Sequence, residues 1–305
     1  MLTDEQKKER LLGIGGSDVG YIAGLSKYKS PLDLYLIKIG EIEDEEIDNE
    51  AIRWGNKLEP IVAAEYAERH GVEIFKPEKA IVHPEYYWMR CNLDFVVKDS
   101  RIVGEVKTTG FLGGDWGEEL TEDIPYPFLL QCAHNAIVSE HLYNTERVDL
   151  PVLSGGIGGL KQKLYRYHRN KKLEDSVINM EREFWQEHVE QRLPPIPRNI
   201  KEAGILWPGR DGQVIIANDN HLKLYDSIKE IQQKIKELGD QEDKLKLDLI
   251  KEMDKNSELR EDERWLARWR KETRKRLDQK ALKTKRPDIY QEFLVTTESD
   301  VLRLA

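Results

Sequence analysis

Thiol chemistry is nearly absent from this chain. Its 305 residues include only two cysteines, Cys91 and Cys132, and they lack the CxxC spacing of a metal knuckle. That excludes a zinc ribbon, an iron–sulfur cluster and a disulfide framework, and leaves both as small buried apolar residues. Long apolar runs are missing too. None approaches the roughly 18 to 20 residues of a membrane span, and the opening MLTDEQKKERLLG holds no apolar stretch of signal-peptide length. The expectation is a cytoplasmic protein with no membrane partner. Repeats and low-complexity segments are likewise absent. Basic charge is in deficit, with 48 Lys and Arg against 57 Asp and Glu for a net −9.

That sum conceals an uneven distribution. Residues 264–286 hold eleven Lys or Arg against Glu272 and Asp278, a local +9 that leaves −18 for the rest. The run 41–50 has seven acids and no base, as a solvated loop would. The length suits one large domain with an appendage, or two modest domains. A proline- and glycine-rich stretch beginning at Pro194 marks the boundary, giving a domain of residues 1–200 and a largely helical extension of residues 201–305.

Hydrophobic periodicity supplies the elements. Three glycines precede Ser17, which is placed to cap a short helix, and Ser30-Pro31-Leu32-Asp33 opens another that runs to Ile39. Helical spacing of Trp54, Leu58, Ile61, Val62 and Tyr66 predicts a helix over 51–70. From Val72 the period changes to two, through VEIF, AIVH and NLDFVVKDSRIVGEVK, which reads as a meander ending in a hairpin. Helix returns over 126–140, strands over 147–153 and 160–167, and an amphipathic helix over 173–191. In the extension, Leu224, Ile228, Ile231, Ile235 and Leu238 step by three and four as a packed helical seam would, and Leu245, Leu249 and Met253 resume it after Gly239. Either one long helix or a helical hairpin fits. A strand (RWLARWR) and a short helix after Asp278 follow.

Chemistry concentrates in the hairpin. A two-residue turn at Asp99-Ser100 sets Asp94 directly opposite Glu105, where like charges are destabilising unless something cationic lies between them. Hard carboxylate oxygens suit Mg²⁺. Lys107 follows Glu105 by two and shares its face, while Leu93, Phe95, Val97, Ile102 and Val106 fall on the other, predicted to be the core face. By spacing alone an exposed salt-bridge ladder is the commoner outcome of such a pattern. An Asp-Ser turn also fixes register less firmly than Asn-Gly.

Five segments in order, GIGGSDVGYIAGLSKYKSPLDLY, RWGNKLEP, NLDFVV, GEVKTT and the Gln131-Cys132-Ala133-His134 stretch after Ile124-Pro125, resemble the YqaJ-type viral recombinases, relatives of phage lambda exonuclease in the PD-(D/E)xK nuclease superfamily. The resemblance covers roughly residues 10–195. It implies an α/β (α+β) restriction-endonuclease-like core, a central mixed β-sheet flanked by helices. It implies that Asp94, Glu105 and the backbone carbonyl of Val106 bind the first Mg²⁺, with Glu59 adding a carboxylate and Mn²⁺ able to substitute. It further implies that Lys107 orients or deprotonates the attacking water, with Gln131 beside it. Arg10 and Ser17, seven residues apart, match the family's 5′-phosphate pocket. Asn92 stands where the family has Pro or Asn, and joins that DNA-contacting set. His134, one turn beyond Gln131, reads from the residues alone as a packed helix histidine.

The resemblance therefore implies a Mg²⁺-dependent exonuclease that digests one strand of linear duplex DNA from 5′ to 3′, releasing mononucleotides and leaving a 3′ strand for a single-strand annealing protein. It also implies phage or prophage origin in a bacterial host and a homo-oligomer, a trimeric ring. Two rivals remain open on the residues, an endonuclease on the same core and a noncatalytic DNA-end binding module. For residues 264–286, a solvated basic face stands beside a nucleic-acid surface that uses Trp265 and Trp269.

Overall fold

The computed structural model describes residues 4–44, 50–110, 116–155, 159–209, 214–297 and 301–304, so part of the acidic run, 45–49, lies outside the described residues. The chain divides into two compact units, Met1–Leu206 and Trp207–Ala305. The first contains helices α1 (Asp4–Leu11), α2 (Asp18–Ile22), α3 (Pro31–Lys38), α4 (Glu50–His70), α5 (Tyr126–Tyr143), α6 (Lys171–Arg182) and α7 (Ile200–Leu206). Its strands are β1 (Ile74–Phe75), β2 (Ile81–Val82), β3 (Arg90–Cys91), β4 (Phe95–Val97), β5 (Ile102–Gly104), β6 (Lys107–Thr109), β7 (Arg147–Ser154) and β8 (Lys161–His168).

Local chemistry sets several boundaries. Asp33 N–H donates to Ser30 Oγ (3.1 Å) and Ser30 N–H to the Asp33 carboxylate (2.8 Å), a capping box with Pro31 at the first helical position. Ser17 precedes α2, but its side chain makes no capping hydrogen bond. Gly15 N–H instead donates to the Asp18 carboxylate (3.0 Å). The helix expected over 173–191 is α-helical only to Arg182. Residues Glu183–Glu190 wind as a π-helix, where the adjacent Phe184 and Trp185 are both buried.

The central sheet is mixed, in the order β1-β4-β5-β7-β6 with β8 on the other edge of β7. Pairing is antiparallel for β1/β4, β4/β5 and β7/β8, and parallel for β5/β7 and β6/β7. Val62, Ala63 and Tyr66 of α4 pack on one face against Phe95, Val97, Val106 and Leu164. Leu130, Cys132, Ala133, Ala136 and Ile137 of α5 belong with Leu93, Val96, Val103, Val148 and Val152 in the other core. The architecture is thus mixed α/β, a central mixed sheet flanked by helices. One expectation holds only in part. Phe95, Val97, Ile102 and Val106 do share one core, but helices cover the sheet on both sides, so the hairpin has no separate chemical face, and Leu93 joins the other core as the chain bends at Asp94. Both cysteines are buried and free.

In the second unit, α8 (Asp219–Met253) runs uninterrupted through Gly239, so the hairpin alternative is excluded. It begins at a capping box formed by Asn218 and His221. The expected packed seam is uncovered at Ile231, Ile235, Leu238 and Leu245, each more than half exposed. The unit continues with β9 (Glu258–Glu261), β10 (Arg264–Arg268), α9 (Gln279–Lys285) and α10 (Pro287–Glu292). The strands β9 and β10 form an antiparallel hairpin.

The register of the β4–β5 hairpin pairs Phe95 with Gly104, and a Cβ built on Gly104 would meet the buried Phe95 ring at 2.0 Å. Gly104→Ala should therefore cost about 1–3 kcal/mol of unfolding free energy by overpacking. Denaturant unfolding checks it: Phe95→Leu in the same chain should recover part of the loss, and an unchanged midpoint for Gly104→Ala would contradict this packing.

Candidate active site

A missing hydrogen bond positions the site. Strands β5 and β6 follow one parallel register against β7, with Ile102 opposite Arg147 and Lys107 opposite Val152, so they are two halves of a single strand broken at Glu105-Val106. Glu105 N–H still donates to Asp149 O (3.0 Å). The next rung of a parallel ladder would take an N–H from Pro151, which has none. The strand is released at that point, next to the end of its pairing with β4.

Glu105 is 5% exposed and its side chain is held by three donors. Lys107 Nζ (2.6 Å) and Gln131 Nε2 (2.6 Å) bond Oε1, and Asn135 Nδ2 (2.8 Å) bonds Oε2. Gln131 and Asn135 lie one turn apart on α5, on the same helical face. Lys107 Nζ also sits 5.2 Å from the centre of the Phe128 ring. Burial alone would lower the Lys107 pKa, but Glu105 and Asp94 outweigh it and the ammonium is held above its usual range.

Asp94 lies across the broken strand. Its Oδ2 accepts the Val106 N–H at 2.7 Å. Burial, then the charges of Glu105 and Glu59, push its carboxyl up to about 8, although the Val106 hydrogen bond and Lys107 act in the opposite direction. Glu59, on α4, is paired with Lys76 (2.5 Å). Lys76 is itself held up: desolvation opposes, but Glu59, Asp94 and Glu105 prevail. A cleft of about 390 Å³ is lined by Asn56, Glu59, Lys76, Asp94 and Phe95.

The donors here are oxygens, which fit a hard divalent cation better than a soft one. Among the described residues no three His, Cys, Asp or Glu side chains gather as a ready metal cluster. A cation at this site would rest on Asp94 and Glu105, completed by backbone carbonyl and water, with Glu59 reaching it only on leaving Lys76. A cation there would offset the charges of Glu105 and Glu59 that, after burial, raise the Asp94 carboxyl.

The structure connects the glycine-rich loop to this centre. A Cβ on Gly16 would meet Asn135 Oδ1 at 2.7 Å and Gln131 Cγ at 3.1 Å, so the loop lies directly on the two side chains that hold Glu105. Exposed Ser17 follows. Arg10, at the end of α1, pairs with Asp44 (3.5 Å), which also pairs with Lys29. Burial first, and then the charge of Asp18, raise the Tyr21 hydroxyl, while Arg10 and Lys107 act in the opposite direction. Asn92 is exposed and outside the hydrogen-bonded cluster around Glu105. His134 points elsewhere: fully buried, it bridges Glu181 (2.7 Å) and the Arg90 carbonyl (2.8 Å) as a packed helix histidine does.

Sequence reasoning missed four participants, Asn135, Asp18, Lys38 and Lys76. Asn135 was available as the residue four after Gln131. The buried Asp18–Lys38 pair (2.7 Å) anchors the loop, with Lys38 Nζ also donating to Arg10 O (2.7 Å). Burial would raise Asp18, but Lys38 and Arg10 hold it below its ordinary value. Neither this pair nor Lys76 carries a local signal.

The YqaJ-like viral recombinase domain matches residues 6–142. The uncharacterized protein YqaJ of Bacillus subtilis (strain 168) is 31% identical over 300 residues, which span 95% of this chain and 90% of that protein. Among solved structures, the alkaline exonuclease LHK-Exo from Laribacter hongkongensis superposes with a TM-score of 0.47 at 17% identity, covering 62% of this chain and 94% of that one. A phage related exonuclease from Haemophilus somnus 129PT gives a TM-score of 0.44 at 11% identity, covering 61% and 99%. The likeness to the Bacillus protein runs through nearly the whole of both chains, and this protein belongs to the family of the YqaJ-like viral recombinase domain.

Proposed function

We propose that this chain is a Mg²⁺-dependent 5′-to-3′ exonuclease that digests one strand of linear duplex DNA to mononucleotides and leaves a 3′ single strand for an annealing protein. The observation that carries the reading is Glu105, held by Lys107, Gln131 and Asn135 across a broken strand from Asp94. Asp94, Glu105 and the Val106 carbonyl would hold the first ion and Glu59 contributes toward a second. When bound, Mg²⁺ supplies an acidified water and charge compensation at the phosphate. Asp94 and Glu105 fix where that charge sits. Gln131 and Asn135 prevent the Glu105 carboxylate from rotating, which keeps the site preorganised. Lys107, held above its usual pKa, acts as a fixed cation that orients the nucleophile and faces the negative transition state, in preference to deprotonating water. Arg10, at the end of α1, and Ser17, on the loop seated against Gln131 and Asn135, would receive a 5′ phosphate once Asp44 yields Arg10. In this reading Asn92 contacts DNA from the exposed approach to Asp94.

Linear duplexes with 5′ phosphate or 5′ hydroxyl ends, with Mg²⁺ and then EDTA, test this. Lys107→Ala and Asp94→Ala should each lower kcat at least about 100-fold. EDTA should abolish digestion, and sealed circular DNA should stay intact. Digestion that persists in EDTA sinks the mechanism, and nicked circles would favour the endonuclease reading.

Arg10→Ala and Ser17→Ala should erase the preference for phosphorylated ends. Equal loss on both ends would instead mark a folding role.

The metal-free chain should also show its strained carboxylate. Asp94 has a folded pKa of about 8 against an ordinary 3.8, so the folded state binds the proton more tightly. Its contribution to stability is present at low pH and is lost as pH rises through about 8. In EDTA, Asp94→Asn should be more stable than the parent at pH 8 by at least about 1 kcal/mol, with no advantage at pH 4. A pH-independent difference in thermal unfolding would count against this environment.

A further inference from the structure

The basic segment of the second unit is not used by the cleavage chemistry, and its hairpin has a feature that the sequence conceals. Trp265 pairs with Arg260, but a bulge follows, after which Ala267 pairs with Leu259 and Arg268 with Glu258. Cross-strand partners share a face and side chains alternate along β9. Trp265, Arg268, Arg260 and Glu258 therefore lie on one face, with Ala267 and Leu259 on the other. Trp269 N–H donates to Ser257 O (2.9 Å), which continues the pairing and places Trp269 with Ala267. Without the bulge, a period of two would have put both tryptophans on one face.

The Trp265 face is built around its indole. The Arg268 guanidinium stacks 4.7 Å from the ring centre, and the ring is still 55% exposed. Glu258 fixes the arginines, accepting from Arg260 (2.8 Å) and pairing with Arg268 (3.0 Å). An arginine lies on one side of the indole and another directly across the hairpin, and Arg270 and Lys271 follow in sequence. A flat aromatic surface flanked by cations suits unpaired bases on a phosphodiester chain, because every base has a stackable face and the backbone is anionic.

We propose that the Trp265 face of this hairpin is a single-stranded DNA-binding site, with a base stacking on Trp265 and neighbouring phosphates meeting Arg260, Arg268, Arg270 and Lys271. The choice of DNA rests on the nuclease reading above, where digestion leaves such a strand.

The test uses the full chain in EDTA, so that no hydrolysis occurs, with fluorescein-labelled oligo(dT) read by anisotropy. The parent should bind with an affinity that falls steeply with salt. Trp265→Ala should weaken binding about tenfold or more. Trp265→Phe should restore most of it, which separates stacking from a folding defect. Trp269→Ala, on the opposite face, should stay within about twofold of the parent. No binding by the parent, equal losses at Trp265 and Trp269, parent-like binding by Trp265→Ala, or tighter binding of blunt duplex than of oligo(dT) would each overturn the proposal. Parent-like digestion with no oligo(dT) binding would reject this site and leave the nuclease reading standing. Oligo(dT) binding without digestion would do the reverse.

Discussion

Two carboxylates facing each other across a broken strand repel, and much of the first unit is arranged around keeping them there. Pro151 removes the rung that would have continued the β5–β6 strand smoothly past Glu105. The released segment presents the Val106 N–H to Asp94 and the Glu105 side chain to α5. Three donors then stabilise Glu105, whereas Asp94 is half-buried with one backbone donor and its carboxyl is pushed up to about 8. The asymmetry matters. Glu105 is held by three donors, whereas burial and the neighbouring carboxylates push the Asp94 carboxyl up, so a positive charge arriving there would favour its charged form.

The same constraint explains why distant parts of the sequence meet here. Helix α5 crosses one face of the sheet and contributes Gln131 and Asn135, while α4 covers the other and contributes Glu59. The glycine-rich loop is seated on Gln131 and Asn135 through Gly16, and the buried Asp18–Lys38 pair ties its end, at the start of α2, to α3. Positioning of the carboxylate and of the loop is thus mechanically shared, and a change in one is felt in the other.

Much of the sheet's local order was legible in the residues. The turn at Asp99-Ser100 and alternation fixed the Phe95–Gly104 register, and the capping signals at Ser30 and the helical spacing of α4 and α5 located those elements. Periodicity did not reveal that both faces of the hairpin are buried, because alternating apolar residues look the same whether one or two helices cover the sheet. It also did not reveal the bulge at β10, which reverses the face of Trp269, nor the π-helical turn after Arg182. Both insert or displace one residue without any composition that marks them. Lys38 and Lys76 act through partners far away in sequence, and Asn135 was hidden behind the more conspicuous His134, a structural bridge to Glu181.

Central to the proposed function is that Asp94 and Glu105 would together hold a hard divalent cation. Titration of Mn²⁺ into the chain, followed by the loss of the free-ion electron paramagnetic resonance signal, measures that directly. Saturable binding in the parent, lost in Asp94→Ala and in Glu105→Ala and kept in Lys107→Ala, is the predicted result. Absence of saturable binding in the parent, or binding unchanged when both carboxylates are removed, would contradict it.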